Sequence, residues 1–153
     1  MTNSAGPISS HELVDKTKHM SPKEKENQAI EYFLRGSRVE AGKESKEVPQ
    51  WGSRTETALC YFQASAKLGN TEAMNKIGTY YSKGKGGFPI DREKALAAYK
   101  EAAKKGNARA KRNIATFYAR GFGGLNHDGD EAYKLLKEVN IRKYARRDTY
   151  FEP

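Results

Sequence analysis

The glycine-rich segment Gly84-Lys85-Gly86-Gly87 is the part of this chain that looks most like a phosphate-binding loop. Such a loop needs a preceding strand and the longer spacing G-x-x-x-x-G-K-S/T, so that its backbone N–H groups surround the phosphates. Neither is present, and the same glycines return as Gly121-Phe122-Gly123-Gly124. The segment therefore predicts a recurring turn with positive φ angles rather than a nucleotide site.

The other side chains with catalytic or metal-binding chemistry are scattered. The one cysteine, Cys60, falls on a predicted helix with no histidine near it in the pattern, whereas a nucleophile needs a base within hydrogen-bond reach. His11, His19 and His127 have no metal-ligand spacing. No carboxylate pair is placed for acid–base work, although folding could bring two together. We therefore predict no enzyme activity, no metal and no cofactor, with Cys60 as a small core residue.

The elements that carry these residues repeat at an offset of 37 residues. Ala73 returns as Ala110 and Ile77 as Ile114, and the two glycine loops are related by the same offset. A period of about 20–50 residues indicates stacked units that each bury their apolar face against a neighbour. No segment alternates with period two, so we predict an all-α fold without a sheet.

Six helices are predicted, and cap residues mark where five of them begin. Ser21, Pro22 and Glu24 form a capping box with Pro at the first helical position, and this helix should end near Gly42. A second helix is predicted over residues 55–68. The remaining helices are predicted to open at Asn70, Asp91, Asn107 and Asp128. The residues predicted to face inward are Ala29, Ile30, Phe33, Leu34, Ala58, Leu59, Phe62, Ala66, Ala73, Met74, Ile77, Tyr81, Ala95, Leu96, Tyr99, Ala102, Ala103, Ala110, Ile114, Phe117, Tyr118, Ala132, Leu135, Leu136 and Val139.

The middle unit resembles the Sel1-like repeat, a variant of the tetratricopeptide repeat. Residues 73–81 match its pattern A-x-x-x-I/L-G-x-x-Y, and residues 84–86 match its G-x-G loop. Residues 91–95 match D-x-x-K-A, and residues 102–106 match A-A-x-x-G. The third unit matches at fewer positions, with Ala115 in place of Gly, and the first unit matches only in its second helix.

The resemblance implies a short α-solenoid of about three helix-turn-helix units. In this family the first helix of each unit lines a concave groove that binds other proteins, and no catalysis is implied. The predicted boundaries are a flexible tail over residues 1–20, repeat units over about 21–69, 70–106 and 107–140, a capping segment that completes the domain 21–147, and a tail over 148–153.

The net charge of +9 lies in the second part of the chain. Residues 1–57 hold nine basic and nine acidic residues, so the whole excess falls in residues 58–153. Such charge suits either solvated helix faces or an acidic partner surface. In the implied groove, the predicted partner-binding residues are Asn75, Thr79, Lys83, Arg109, Arg112, Thr116 and Arg120, with Arg142, Arg146 and Tyr150 as secondary candidates.

These observations favour a protein-interaction module, either an adaptor or scaffold or an inhibitor such as an immunity-type protein, with an acidic partner. The alternative is a nucleic-acid-binding helical repeat protein, because basic charge interleaved with aromatic residues has that electrostatic footprint. No apolar run reaches the roughly 18 residues of a membrane span. The lone cysteine and the absence of a signal-like N-terminus predict a cytoplasmic protein, with export by another route left open.

Overall fold

A computed structural model describes residues 9–43 and 52–145, without the side chains of residues 141–145. The described residues contain α-helices and no strand, which confirms the all-α prediction. The helices are α1 (Ser10–Asp15), α2 (Pro22–Glu40), α3 (Arg54–Lys67), α4 (Thr71–Lys83), α5 (Arg92–Lys104), α6 (Ala108–Arg120) and α7 (Gly129–Ala145).

The helices pack as three successive hairpins. Helix α2 packs on α3, α4 on α5 and α6 on α7, while contacts of α3 with α4 and of α5 with α6 join one hairpin to the next. The main contacts thus run between sequence neighbours, as expected for a stack of repeats. The three units predicted from the 37-residue offset are the three hairpins.

Side-chain caps fix the helix starts. The Ser21 hydroxyl accepts from the Glu24 N–H, and the Glu24 carboxylate accepts from the Ser21 N–H at 2.7 Å, which confirms the predicted capping box. Asn70, Asp91 and Asn107 cap α4, α5 and α6 as predicted. Each cap satisfies a backbone donor that the first helical turn leaves without a partner.

A second capping box, which we did not predict, opens α3. The Glu56 carboxylate accepts from the Ser53 N–H at 2.9 Å, and the Ser53 hydroxyl accepts from the Glu56 N–H at 3.1 Å. The pattern S-x-x-E at residues 53–56 is a sequence signal for this start. At the other end of the chain Asp128 accepts from the N–H of Glu131 at 3.0 Å, so α7 begins where it was expected.

The two glycine loops have the positive φ angles that their composition predicted. Gly84 ends α4 with φ 67° and Gly121 ends α6 with φ 65°, both in the left-handed region. A residue with a Cβ is strained there, which explains why glycine recurs 37 residues apart. Both loops join two helices, so neither is the strand-to-helix turn of a phosphate-binding loop.

The core consists of two aromatic clusters that follow the repeat. In the first, Phe62 packs edge-on against Tyr80 with ring centroids 5.9 Å apart. In the second, Tyr99 packs edge-on against Phe117 at 5.5 Å. Each cluster contains residues of two successive units, so burial of these rings holds one unit against the next.

The predicted inward face of α2 was partly wrong. Ala29 is buried and Phe33 is half-buried, but Ile30 and Leu34 are exposed. Tyr32 and Val39 are buried instead. Tertiary contacts explain the difference. One side of α2 packs on α3 and another side contacts the segment before α2, so apolar spacing along the helix does not by itself show which residues are buried.

The prediction of a flexible tail over residues 1–20 was wrong for residues 9–20. Helix α1 packs against α3, and Leu13 and Thr17 are buried. The Tyr32 hydroxyl donates to the Leu13 carbonyl at 2.9 Å, so this segment is held from two sides. Residues 1–8 lie outside the described part, as do the loop residues 44–51 and everything after residue 145.

Leu136 on α7 was also predicted to face inward and is exposed, whereas Ala132 and Val139 are buried as expected. No unit follows α7 in the described part of the chain, so this side of the helix has no neighbour. Among the described helices, none is both long and apolar enough to cross a membrane.

Candidate functional site

The first helices of the three units, α2, α4 and α6, are linked side by side by polar contacts. Lys76 on α4 forms an ion pair with Glu40 on α2 at 2.8 Å. Asn113 Nδ2 on α6 donates to Asn75 Oδ1 on α4 at 2.8 Å. We call the surface formed by α2, α4 and α6 the first-helix surface.

Glu40 is the centre of the link between α2 and α4. It accepts hydrogen bonds from Lys76 and from the Tyr80 hydroxyl at 3.0 Å. Burial alone would raise the pKa of Glu40, but the hydrogen bond and charge of Lys76 outweigh it and hold this pKa below its ordinary value. Burial, together with the neighbouring carboxylate, raises the pKa of Tyr80. This cluster is structural and joins the first two units.

The structure places Asn75 and Thr79, both predicted to line an open groove, between helices. Asn75 is 8% exposed and accepts from Asn113. The Thr79 hydroxyl donates to the Asn75 carbonyl at 3.3 Å and lies 3.3 Å from the Tyr99 hydroxyl. Both residues therefore hold neighbouring helices together, because the next first helix covers this side of α4.

The equivalent positions on α6 are exposed. Arg112 follows Asn75 by 37 residues and Thr116 follows Thr79 by the same offset, and both side chains are in solvent. On α4 the equivalent row is covered by α6, the first helix of the next unit. In the described residues no further unit follows α7, so the row on α6 has no such cover. We call the row Arg109, Arg112, Thr116 and Arg120 the basic edge of α6.

The charges of the basic edge differ in their partners. Arg109 pairs with Glu72 of α4 at 3.6 Å. Arg112 has no ion pair within the described part of the chain, and its carbonyl accepts from the Thr116 hydroxyl at 3.1 Å. The Arg120 guanidinium lies 5.8 Å from the centre of the Phe122 ring.

Lys83 is exposed in the last turn of α4, 37 residues before Arg120. Both cations therefore stand at the C-terminal end of a first helix, where a positive charge is favourable. Arg146 and Tyr150, two of the secondary candidates, lie outside the described residues, and the side chain of Arg142 lies outside the described part as well.

The other end of the first-helix surface carries a cavity that the sequence did not reveal. It has a volume of about 230 Å³ and lies between α2 and the turn from α3 to α4. Its lining includes Glu26, Ile30, Leu68 and Glu72. Apolar spacing predicted Ile30 to be a core residue, so the sequence did not indicate that it lines an open cavity. The lining of this cavity is mixed apolar and acidic, in contrast to the basic edge of α6.

Cys60 is half-buried on α3, and burial raises the pKa of its thiol. At neutral pH the thiol is therefore protonated, the form that is a poor nucleophile. Within the described residues no three His, Cys, Asp or Glu side chains gather into a metal-binding group. The absence of enzyme activity stays a prediction.

No protein-family model matches the sequence, and no curated protein matches it. Several solved structures are similar in fold, among them the following two. One is a Sel1 repeat protein from Oxalobacter formigenes, with TM-score 0.61 and 20% identity over 86% of this chain and 49% of that one. The other is a protective antigen with an SLR fold from uropathogenic Escherichia coli, with TM-score 0.61 and 16% identity over 88% of this chain and 33% of that one.

The present chain thus spans about half of the first structure and a third of the second. At these identities the likeness concerns the fold. This chain has the fold of the Sel1-like repeat proteins, as its A-x-x-x-I-G-x-x-Y and G-x-G motifs predicted.

Proposed function

We propose that this protein is a protein-interaction module that binds an acidic segment of its partner at the basic edge of α6. One observation carries the proposal. On α4, Asn75 belongs to the row of residues that contacts α6. The equivalent row on α6 is exposed and basic, with Arg112 in the place of Asn75. A surface of this kind fits a segment that supplies carboxylates.

The chemistry of the basic edge supports an acidic partner. A guanidinium binds a carboxylate through two parallel hydrogen bonds, which gives orientation as well as charge. Arg112 has no ion pair to break within the described residues. The pair of Arg109 with Glu72 is long and mostly exposed, so exchanging Glu72 for a partner carboxylate costs little.

The fold supports the same class of function. Sel1-like repeat solenoids generally mediate protein–protein contacts, and short repeats of this kind present surfaces to partners. An adaptor and an inhibitor of the immunity type would use the basic edge in the same way, by burying it against one acidic surface.

The test needs the native partner, which pull-down and mass spectrometry would identify. Its affinity is then measured for the wild type, Arg112→Glu and the matched control Lys100→Glu, which makes the same charge change at an exposed residue of α5. We expect Arg112→Glu to weaken binding at least about tenfold and Lys100→Glu to have a much smaller effect.

Equal affinities for both variants and the wild type would reject the basic edge as the binding site. Measuring the affinity over a series of salt concentrations distinguishes a protein partner from the alternative, a nucleic acid. Recovery of nucleic acid, with an affinity that falls steeply and linearly on a log–log salt plot, would contradict a protein partner.

A further inference from the structure

Helix α7 exposes an apolar face that the preceding unit keeps buried. On α5, Leu96 is 5% exposed and Tyr99 is 3% exposed. Their equivalents 37 residues later are Tyr133, which is 68% exposed, and Leu136, which is 41% exposed. Two large apolar side chains are thus in solvent at positions where the repeat normally buries them.

The cover of the α5 face comes from the next unit. The Gly123 loop lies so close to Leu96 that a Cβ at residue 123 would be 3.2 Å from the Leu96 Cβ. Tyr99 packs against Phe117 of α6. Within the described residues no loop or helix covers the equivalent face of α7. This face therefore corresponds to an interface between repeats but has no partner.

Two charges flank the exposed tyrosine on the same stripe of α7. Asp130 lies three residues before Tyr133, and Lys137 lies four residues after it. Residues at these spacings line one side of a helix. Asp130 and Lys137 are exposed, and neither has an ion pair in the described part of the chain.

The neighbouring charges of α7 are already paired. Glu131 pairs with Lys134 at 3.9 Å, and Glu138 pairs with Lys111 of α6 at 3.8 Å. Among the described side chains of α7, the unpaired acid Asp130 and the unpaired base Lys137 therefore lie on either side of the exposed Tyr133 ring.

We propose that this face binds the same face of a second copy of the chain, with the two α7 helices antiparallel. A twofold axis near Tyr133 sets Asp130 of each copy against Lys137 of the other, so that two ion pairs form around the two tyrosine rings. Leu136 of each copy then packs beside Tyr133 of the other. Such a contact is self-complementary, as a twofold interface must be.

The antiparallel direction follows from the charges. A parallel pair would set Asp130 against Asp130 and Lys137 against Lys137, which is repulsive. The stripe also lies away from the buried residues Ala132 and Val139, by which α7 packs on α6. The first-helix surface therefore stays open in the dimer, and this inference does not depend on the proposed function.

The test is the mass of the protein in solution, measured by light scattering or sedimentation over a range of concentrations. We expect the wild type to reach twice the monomer mass as concentration rises. Asp130→Lys and Lys137→Asp should each remain monomeric, because each sets two like charges together in both halves of the interface. An equimolar mixture of the two variants should form a heterodimer, since two ion pairs then form, one in its original polarity and one reversed.

The matched control is Lys100→Asp, which makes the same change at the residue of α5 equivalent to Lys137. It should dimerise like the wild type, and circular dichroism should show all variants folded. A wild type that stays monomeric at its highest soluble concentration overturns the proposal. Single variants that dimerise like the wild type, or a mixture of the two that stays monomeric, overturn it as well.

Discussion

Gly78 and the ring of Tyr99 fit together so closely that a Cβ at residue 78 would lie 2.6 Å from Tyr99 Cε1. The same arrangement occurs one unit earlier, where a Cβ at Gly36 would lie 2.9 Å from Phe62 Cε1. Glycine inside a helix costs about 1 kcal/mol relative to alanine. The close approach of the aromatic ring explains why both helices nevertheless contain it.

Replacing Gly78 with alanine should therefore destabilise the protein. We expect the free energy of unfolding to fall by about 1–3 kcal/mol, because the Tyr99 ring must move out of its place. Urea denaturation measures the loss. Gly129→Ala is the control, since a Cβ there has no neighbour within 4 Å and should cost nothing. A Gly78→Ala protein as stable as the wild type would contradict the packing described.

A pair of leucines tests whether α1 belongs to the core. Leu13 is buried and Leu34 is exposed. Leu13→Ala should lower the free energy of unfolding by about 2–4 kcal/mol, through lost burial and the cavity left behind. Leu34→Ala should change it by less than about 0.5 kcal/mol. Similar values for the two variants in thermal or urea unfolding would show that the segment before α2 is not packed as described.

The cluster around Glu40 predicts a dependence of stability on pH. Lys76 holds the pKa of Glu40 below its ordinary value, which is about 4.3 in an unfolded chain. The stabilisation is therefore complete above that value and is lost as the pH falls through the folded-state pKa. Glu40→Gln should be less stable than the wild type at pH 7, and the difference should shrink below about pH 4. Unfolding free energies measured from pH 7 to pH 3 check this, and a constant difference would contradict it.

Cys60 should react slowly with thiol reagents. Burial raises the pKa of the thiol and also limits access to it, so the fraction of reactive thiolate at neutral pH is small. We expect labelling by a disulfide reagent at pH 7 to be much slower in the folded protein than in urea. Equal rates in the two conditions would show that Cys60 is accessible and not a packing residue.

The sequence predicted the helices well because their signals are local. Caps such as Ser21, Asn70 and Asp91 act within one turn, and the glycines at Gly84 and Gly121 are required by backbone geometry. The repeat then fixed how many hairpins to expect, since equivalent residues must meet equivalent neighbours.

Burial that depends on more distant neighbours was harder to predict. Helix α2 has apolar residues on two sides, and tertiary contacts such as that of Tyr32 with Leu13 decide which side is buried. Asn75 and Arg112 occupy equivalent positions, yet one is buried and the other exposed, because a first helix follows α4 and none follows α6 in the described residues. The repeat motif predicts where a residue lies on its helix, but it does not predict which neighbouring element covers that residue.

In the described residues the main contacts run from each hairpin to the next, so distant units give each other little direct support. Such a molecule can open from one end while the rest stays folded, so its amide hydrogens should exchange in a graded order along the chain. Helices α6 and α7 are packed from one side only within the described residues, and their amides should exchange earliest among the three hairpins. The basic edge then lies on the least protected hairpin, and whatever binds there would slow exchange across that whole hairpin.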